Sequence, residues 1–133
     1  MTMLNLSATA RVGRVQAVLH VDASDSGHQA FTLDLLVEEP WHVYGPDAAS
    51  GLPVLVEAAD PMRLTALRIP SGPDGELSGR VAITGTVTGA LPGAHFVVRT
   101  QACDGPRCEP PARARLTLVA DRHGAGSQPP RAA

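Results

Sequence analysis

The sequence predicts an all-β protein, a two-sheet antiparallel sandwich of immunoglobulin type, and three observations predict it. Apolar residues recur at every second position through several stretches, and turn-forming residues separate those stretches. With 13 Gly and 12 Pro spread along 133 residues, no helical segment of useful length survives.

The first clear strand starts at Val15, where Val15, Ala17, Leu19 and Val21 alternate with Gln16, His20 and Asp22. Phe31, Leu33, Leu35 and Val37 repeat the pattern against Thr32, Asp34 and Glu38. Strand-like runs follow at residues 53–57, 64–69, 81–87, 94–102 and 113–119. This period of two marks half-buried antiparallel strands. The breakers are Asp25-Ser26-Gly27, Tyr44-Gly45-Pro46, residues 70–75 and Leu91-Pro92-Gly93. Seven to nine short strands at this spacing suit the sandwich, with a small closed barrel as the alternative. Residues 1–120 read as one domain. Residues 121–133 read as a disordered tail with nothing to bury.

Composition narrows the function classes. Eleven arginines and no lysine face 13 acids, for a net charge of −2, and the arginines are scattered singly. That offers no general attraction for nucleic acid or anionic lipid. No run is long enough to span a membrane, and Met1–Leu6 lacks the basic start and apolar stretch of a secretory signal. Both a cytoplasmic and an extracytoplasmic setting stay open on that ground. The two cysteines would mean different things in each.

Those cysteines carry the chemistry. Cys103 and Cys108 are separated by Asp104-Gly105-Pro106-Arg107, a turn composition. A four-residue hairpin loop sets its flanking residues opposite each other, with Cα atoms roughly 4.5–5.5 Å apart. A disulfide needs about 4.4–6.8 Å, so the spacing permits one. Alternation along the preceding strand puts Cys103 with Arg99 and Gln101, and so predicts that it faces solvent. Adjacent charge should separate the sulfurs: Arg107 favours a Cys108 thiolate, and Asp104 disfavours one at Cys103. On this reading Cys108 enters the mixed disulfide and Cys103 resolves it. An ordinary stabilising bridge is the competing reading, although so short a loop gains only about 2 kcal/mol.

Three segments resemble the N-terminal (alpha) domain of the DsbD-type transmembrane thiol:disulfide reductases, a disulfide-corrector-like domain. Gln101-Ala102-Cys103 followed by Cys108-Glu109-Pro110-Pro111 is similar to that family's Gln-x-Cys … Cys-x-Pro-Pro motif. Trp41-His42-Val43-Tyr44 is similar to its Gly-Trp-His-Ile/Val-Tyr segment. Glu76-Leu77-Ser78-Gly79 stands where the family has a short acidic-aromatic-Gly cap. Together these span residues 31–118. The resemblance implies an immunoglobulin-like fold and a periplasmic or extracytoplasmic protein-disulfide reductase module. It would pass electrons between a thioredoxin-like donor and oxidised protein partners, without cofactor or metal. The intermolecular bond would fall on Cys108, and Tyr44, Glu76 and Leu77 would neighbour or cap the pair. Leu77 departs from the family there, because it replaces an aromatic ring.

Other constellations are weaker. Trp41 reads first as a core residue, with His42 and Tyr44 at a sheet edge. Two cysteines with His42 or His95 match no recognised zinc spacing, and a Cys-His hydrolase would need a cysteine set against a base and an oxyanion hole, which a lone hairpin pair argues against. His20, His28 and His123 read as solvated side chains. The rival function from another class is a non-catalytic binding module whose disulfide only pins a hairpin.

Overall fold

The period-two stretches become strands whose apolar sides turn the same way, and this builds the core. The computed structural model describes residues 5–24, 26–49 and 51–121. The strands, in chain order, are β1 (Leu6–Val12), β2 (Val15–Val21), β3 (His28–Val37), β4 (Val43–Tyr44), β5 (Leu55–Ala58), β6 (Arg63–Arg68), β7 (Glu76–Leu77), β8 (Arg80–Thr88), β9 (His95–Thr100), β10 (Cys103–Asp104), β11 (Arg107–Cys108), β12 (Ala112–Thr117) and β13 (Val119–Ala120). No helix among the described residues is long and apolar enough to cross a membrane. The tail expected to be disordered, Asp121 apart, lies outside the described residues.

Two antiparallel sheets make the sandwich. The larger runs β13-β1-β2-β3-β8-β6, and the smaller runs β12-β9-β5. In the larger sheet the register stacks Ala8, Leu19, Leu33 and Ile83 side by side across four strands. Each of these side chains is buried, as alternation requires of one face. The smaller sheet answers with Val56, Val98, Phe96 and Leu116, all buried. Phe31 of the larger sheet meets Phe96 of the smaller edge-on, with ring centroids 5.3 Å apart. The core is thus aliphatic with one aromatic pin, as the scarcity of aromatic residues implies.

One full strand was not expected. β1 pairs with all of β2 through a two-residue turn at Gly13 and Arg14, where Gly13 takes a φ of +62°. Its inward positions include Ala8 and Ala10, too small to announce a strand. The remaining short strands form two ribbons, β4-β7 and β10-β11, linked by a bridge from His42 to Cys103. That junction holds the cysteines.

Candidate functional site

Cys103 and Cys108 are disulfide-bonded and sit directly opposite each other, with Cα atoms 4.0 Å apart. The hairpin is tighter than expected. Asp104 and Arg107 are also paired, which leaves only Gly105 and Pro106 in the turn. Gly105 has a φ of +61°, the left-handed conformation that such a turn requires and glycine adopts freely.

Backbone pairing fixes which way each residue points. The Cys103 N–H donates to the His42 carbonyl at 2.9 Å, and the His42 N–H donates to the Cys103 carbonyl at 3.0 Å. Both polar groups of Cys103 are therefore spent on His42, and Cys103 meets Cys108 as a non-hydrogen-bonded pair. Directly opposed residues share a face. His42, Cys103 and Cys108 therefore form a row on one side of the ribbon.

Tyr44 and Glu76 extend that row. The His42 and Tyr44 rings lie edge to face at 5.2 Å, and the His42 Nε2 and Tyr44 hydroxyl are hydrogen-bonded at 3.1 Å. Glu76, opposite Tyr44 in the β4-β7 pair, brings a carboxylate oxygen to 3.6 Å from the same nitrogen. Gly51 lies against the Tyr44 ring, so closely that a Cβ there would overlap it. The loop ahead of β5 thus backs the tyrosine, which is itself buried.

The other face of the ribbon carries the charges. Arg107 donates to Asp104 at 2.7 Å and holds its guanidinium 5.4 Å from the centre of the Trp41 ring. Arg14 stands 4.7 Å from the same ring, donating to Glu109 at 3.1 Å and to Glu38 at 2.9 Å. Those two carboxylates, Glu109 foremost, raise the Arg14 pKa above its usual value. Trp41 is a buried residue, as expected, but its ring also serves as a platform for two cations.

Three expectations change at this point. Cys103 is fully buried at 0 % exposure, whereas Cys108 is exposed. The alternation that placed Cys103 toward solvent was counted straight through Gln101-Ala102, where β9 has ended and the chain crosses to a different ribbon. Ala102 and Cys103 are consequently buried in succession. Secondly, Arg107 and Asp104, expected to act on the thiols, are paired with each other at 2.7 Å on the ribbon face opposite the disulfide. Thirdly, Leu77 does not share the disulfide's face. It pairs with Val43, and both are buried among core residues.

Gln101 carries a role that its place in the motif did not disclose. Its side-chain carbonyl accepts from the Leu52 N–H at 3.1 Å, and its amide donates to the Glu109 carbonyl at 3.3 Å. One side chain therefore ties the base of the hairpin to the loop that backs Tyr44. An amide with both a donor and an acceptor suits that position, and the Gln-x-Cys spacing was its only sequence signal. Among the described residues no three His, Cys, Asp or Glu side chains converge as a metal-binding group. No protein-family model and no curated protein matches the chain.

Proposed function

We propose that this domain exchanges a dithiol for a disulfide with other proteins through Cys103 and Cys108. One observation carries the reading: the two halves of the bridge are unequal. Cys103 is buried and anchored by paired hydrogen bonds to His42, whereas Cys108 is exposed on the outermost strand of the ribbon. A partner thiolate must approach one sulfur in line with the S–S bond, and Cys108 is the sulfur within reach. The motif likeness to the DsbD alpha domain supports the same assignment.

In the reductive direction the Cys108 thiolate attacks a partner disulfide. An S–S bond forms between Cys108 and the partner, and the partner's other sulfur leaves as a thiolate. Cys103, deprotonated, then attacks the Cys108 sulfur, restores the internal bridge and releases the second partner thiolate. Two electrons have passed to the partner. A thioredoxin-like donor returns them by attacking Cys108, with Cys103 as the leaving thiolate. An extracytoplasmic compartment belongs to this reading, because partner disulfides persist there.

Equilibration with glutathione buffers tests the reading against a purely structural bridge. Redox-active pairs fall near about −180 to −270 mV, and structural ones usually lie below about −300 mV. The expected potential is in the first range, with mixed disulfides trapped by Cys103→Ser and not by Cys108→Ser. A potential in the lower range, with no trapping through either residue, would make the domain a binding module with a pinned hairpin.

A further inference from the structure

Along the outer edge of β11 one residue offers a backbone N–H together with its C=O, and that residue is Cys108. Because Cys103 and Cys108 form a non-hydrogen-bonded pair, their backbone groups point away from each other. Those of Cys103 point inward to His42. Those of Cys108 point outward, off the ribbon, and among the described residues no hydrogen bond reaches them. On either side the chain alternates: the Glu109 N–H turns inward to the Ala102 carbonyl at 2.9 Å, and Arg107 pairs inward with Asp104. The next positions out are Pro106 and Pro110, which have no N–H to give. The edge is therefore closed to a long added strand and open at a single residue.

We propose that the partner docks here as an extended segment whose own cysteine forms a one-residue antiparallel bridge with Cys108. The Cys108 N–H would donate to that cysteine's carbonyl, and its N–H to the Cys108 carbonyl. A hydrogen-bonded pair of this kind sets Cα atoms about 5.5 Å apart with side chains on the same face. That lies within the span of a disulfide, about 4.4–6.8 Å. The same contact that captures the segment thus brings its sulfur onto the Cys108 sulfur, and the flanking prolines keep it from sliding to another register. The inference rests on the exchange reading and adds to it the conformation of the substrate: a cysteine in an extended strand, not in a helix.

Synthetic peptides test it. A short extended peptide carries one cysteine as its mixed disulfide with thionitrobenzoate, and is offered to the Cys103→Ser variant. Cys108 thiolate attacks the peptide sulfur and thionitrobenzoate leaves, giving a coloured readout. Methylating the peptide cysteine's own amide nitrogen should slow the reaction about five-fold, the equivalent of one lost hydrogen bond. Methylating the next amide, which points away from β11, should leave the rate unchanged. In the peptide-bound product the Cys108 amide should exchange with deuterium at least about ten-fold more slowly than in the protein capped by exchange with 2-hydroxyethyl disulfide, from which mercaptoethanol leaves. If Cys103→Ser does not fold, the oxidised wild-type protein and the free peptide thiols give the same comparison in reverse. Equal rates for all peptides, with an unprotected Cys108 amide, would overturn the docking mode and leave exchange standing. Failure of every peptide and of 2-hydroxyethyl disulfide to form a mixed disulfide would overturn both.

Discussion

Arg107 and Cys108 are neighbours in sequence yet work on opposite faces of the hairpin. The guanidinium is paired with Asp104 at 2.7 Å and stands over Trp41, so its field is compensated by the carboxylate. Arg107→Gln in a Cys103→Ser background should therefore change the rate of Cys108 alkylation by less than about three-fold, since a paired surface charge contributes little. A ten-fold fall in alkylation would reinstate the arginine as the thiol's activator. Gln101 is the more consequential polar residue. Gln101→Ala removes the bonds to the Leu52 N–H and Glu109 carbonyl together, and should cost about 1–3 kcal/mol in a urea titration. The pairing of the cysteines was legible in their spacing, because turn chemistry between them dictates opposition. Their faces were not, because parity can be counted only within one unbroken strand, and Gln101-Ala102 is where the strand breaks.

At the scale of elements, register decides what each position tolerates. Gly85 lies opposite Phe31 in the β3–β8 pair, and a Cβ there would stand 2.7 Å from the phenylalanine ring. Gly85→Ala should therefore cost about 1–3 kcal/mol by overpacking, with no effect on the disulfide's reactivity. Gly51 should behave differently. It has a φ of +83°, and its Cβ would overlap the Tyr44 ring, so Gly51→Ala must displace either the loop or the tyrosine. The expected result is faster reduction of the bridge by a small thiol such as dithiothreitol, because Tyr44 sits in the same row as the sulfurs. An unchanged reduction rate in a folded Gly51→Ala protein would show that the row does not screen Cys103. The long strands were legible because Val15–Val21 and Phe31–Val37 alternate with large side chains. β1 escaped notice because alanines at 8 and 10 carry little pattern. β4 and β7 escaped because two residues have no period, and only the His42–Cys103 bridge gives them a purpose.

For the whole molecule, exchange requires that the dithiol form stay folded, and the architecture indicates that it does. The hairpin is held at its base by the two His42–Cys103 backbone bonds, the bond from Glu109 N–H to Ala102 carbonyl, and the Gln101 side chain, none of which involves a sulfur. On its charged face Arg14 pins Glu109 to Glu38, joining the turn between β1 and β2 to the residue that follows β11. The sulfurs thus close a loop of only five residues' separation that other contacts already close. A cross-link of that length contributes about 2 kcal/mol, a fraction of the 5–15 kcal/mol or so that domains of this class hold in reserve. Reduction should accordingly leave the far-ultraviolet circular dichroism unchanged and lower the unfolding free energy in urea by about 2 kcal/mol or less. The Cys103 amide should stay protected from hydrogen exchange in the reduced protein, because its acceptor is the His42 carbonyl. If reduction instead melted the sandwich or freed that amide, the bridge would be a structural staple, and no reduced form would survive to attack a partner.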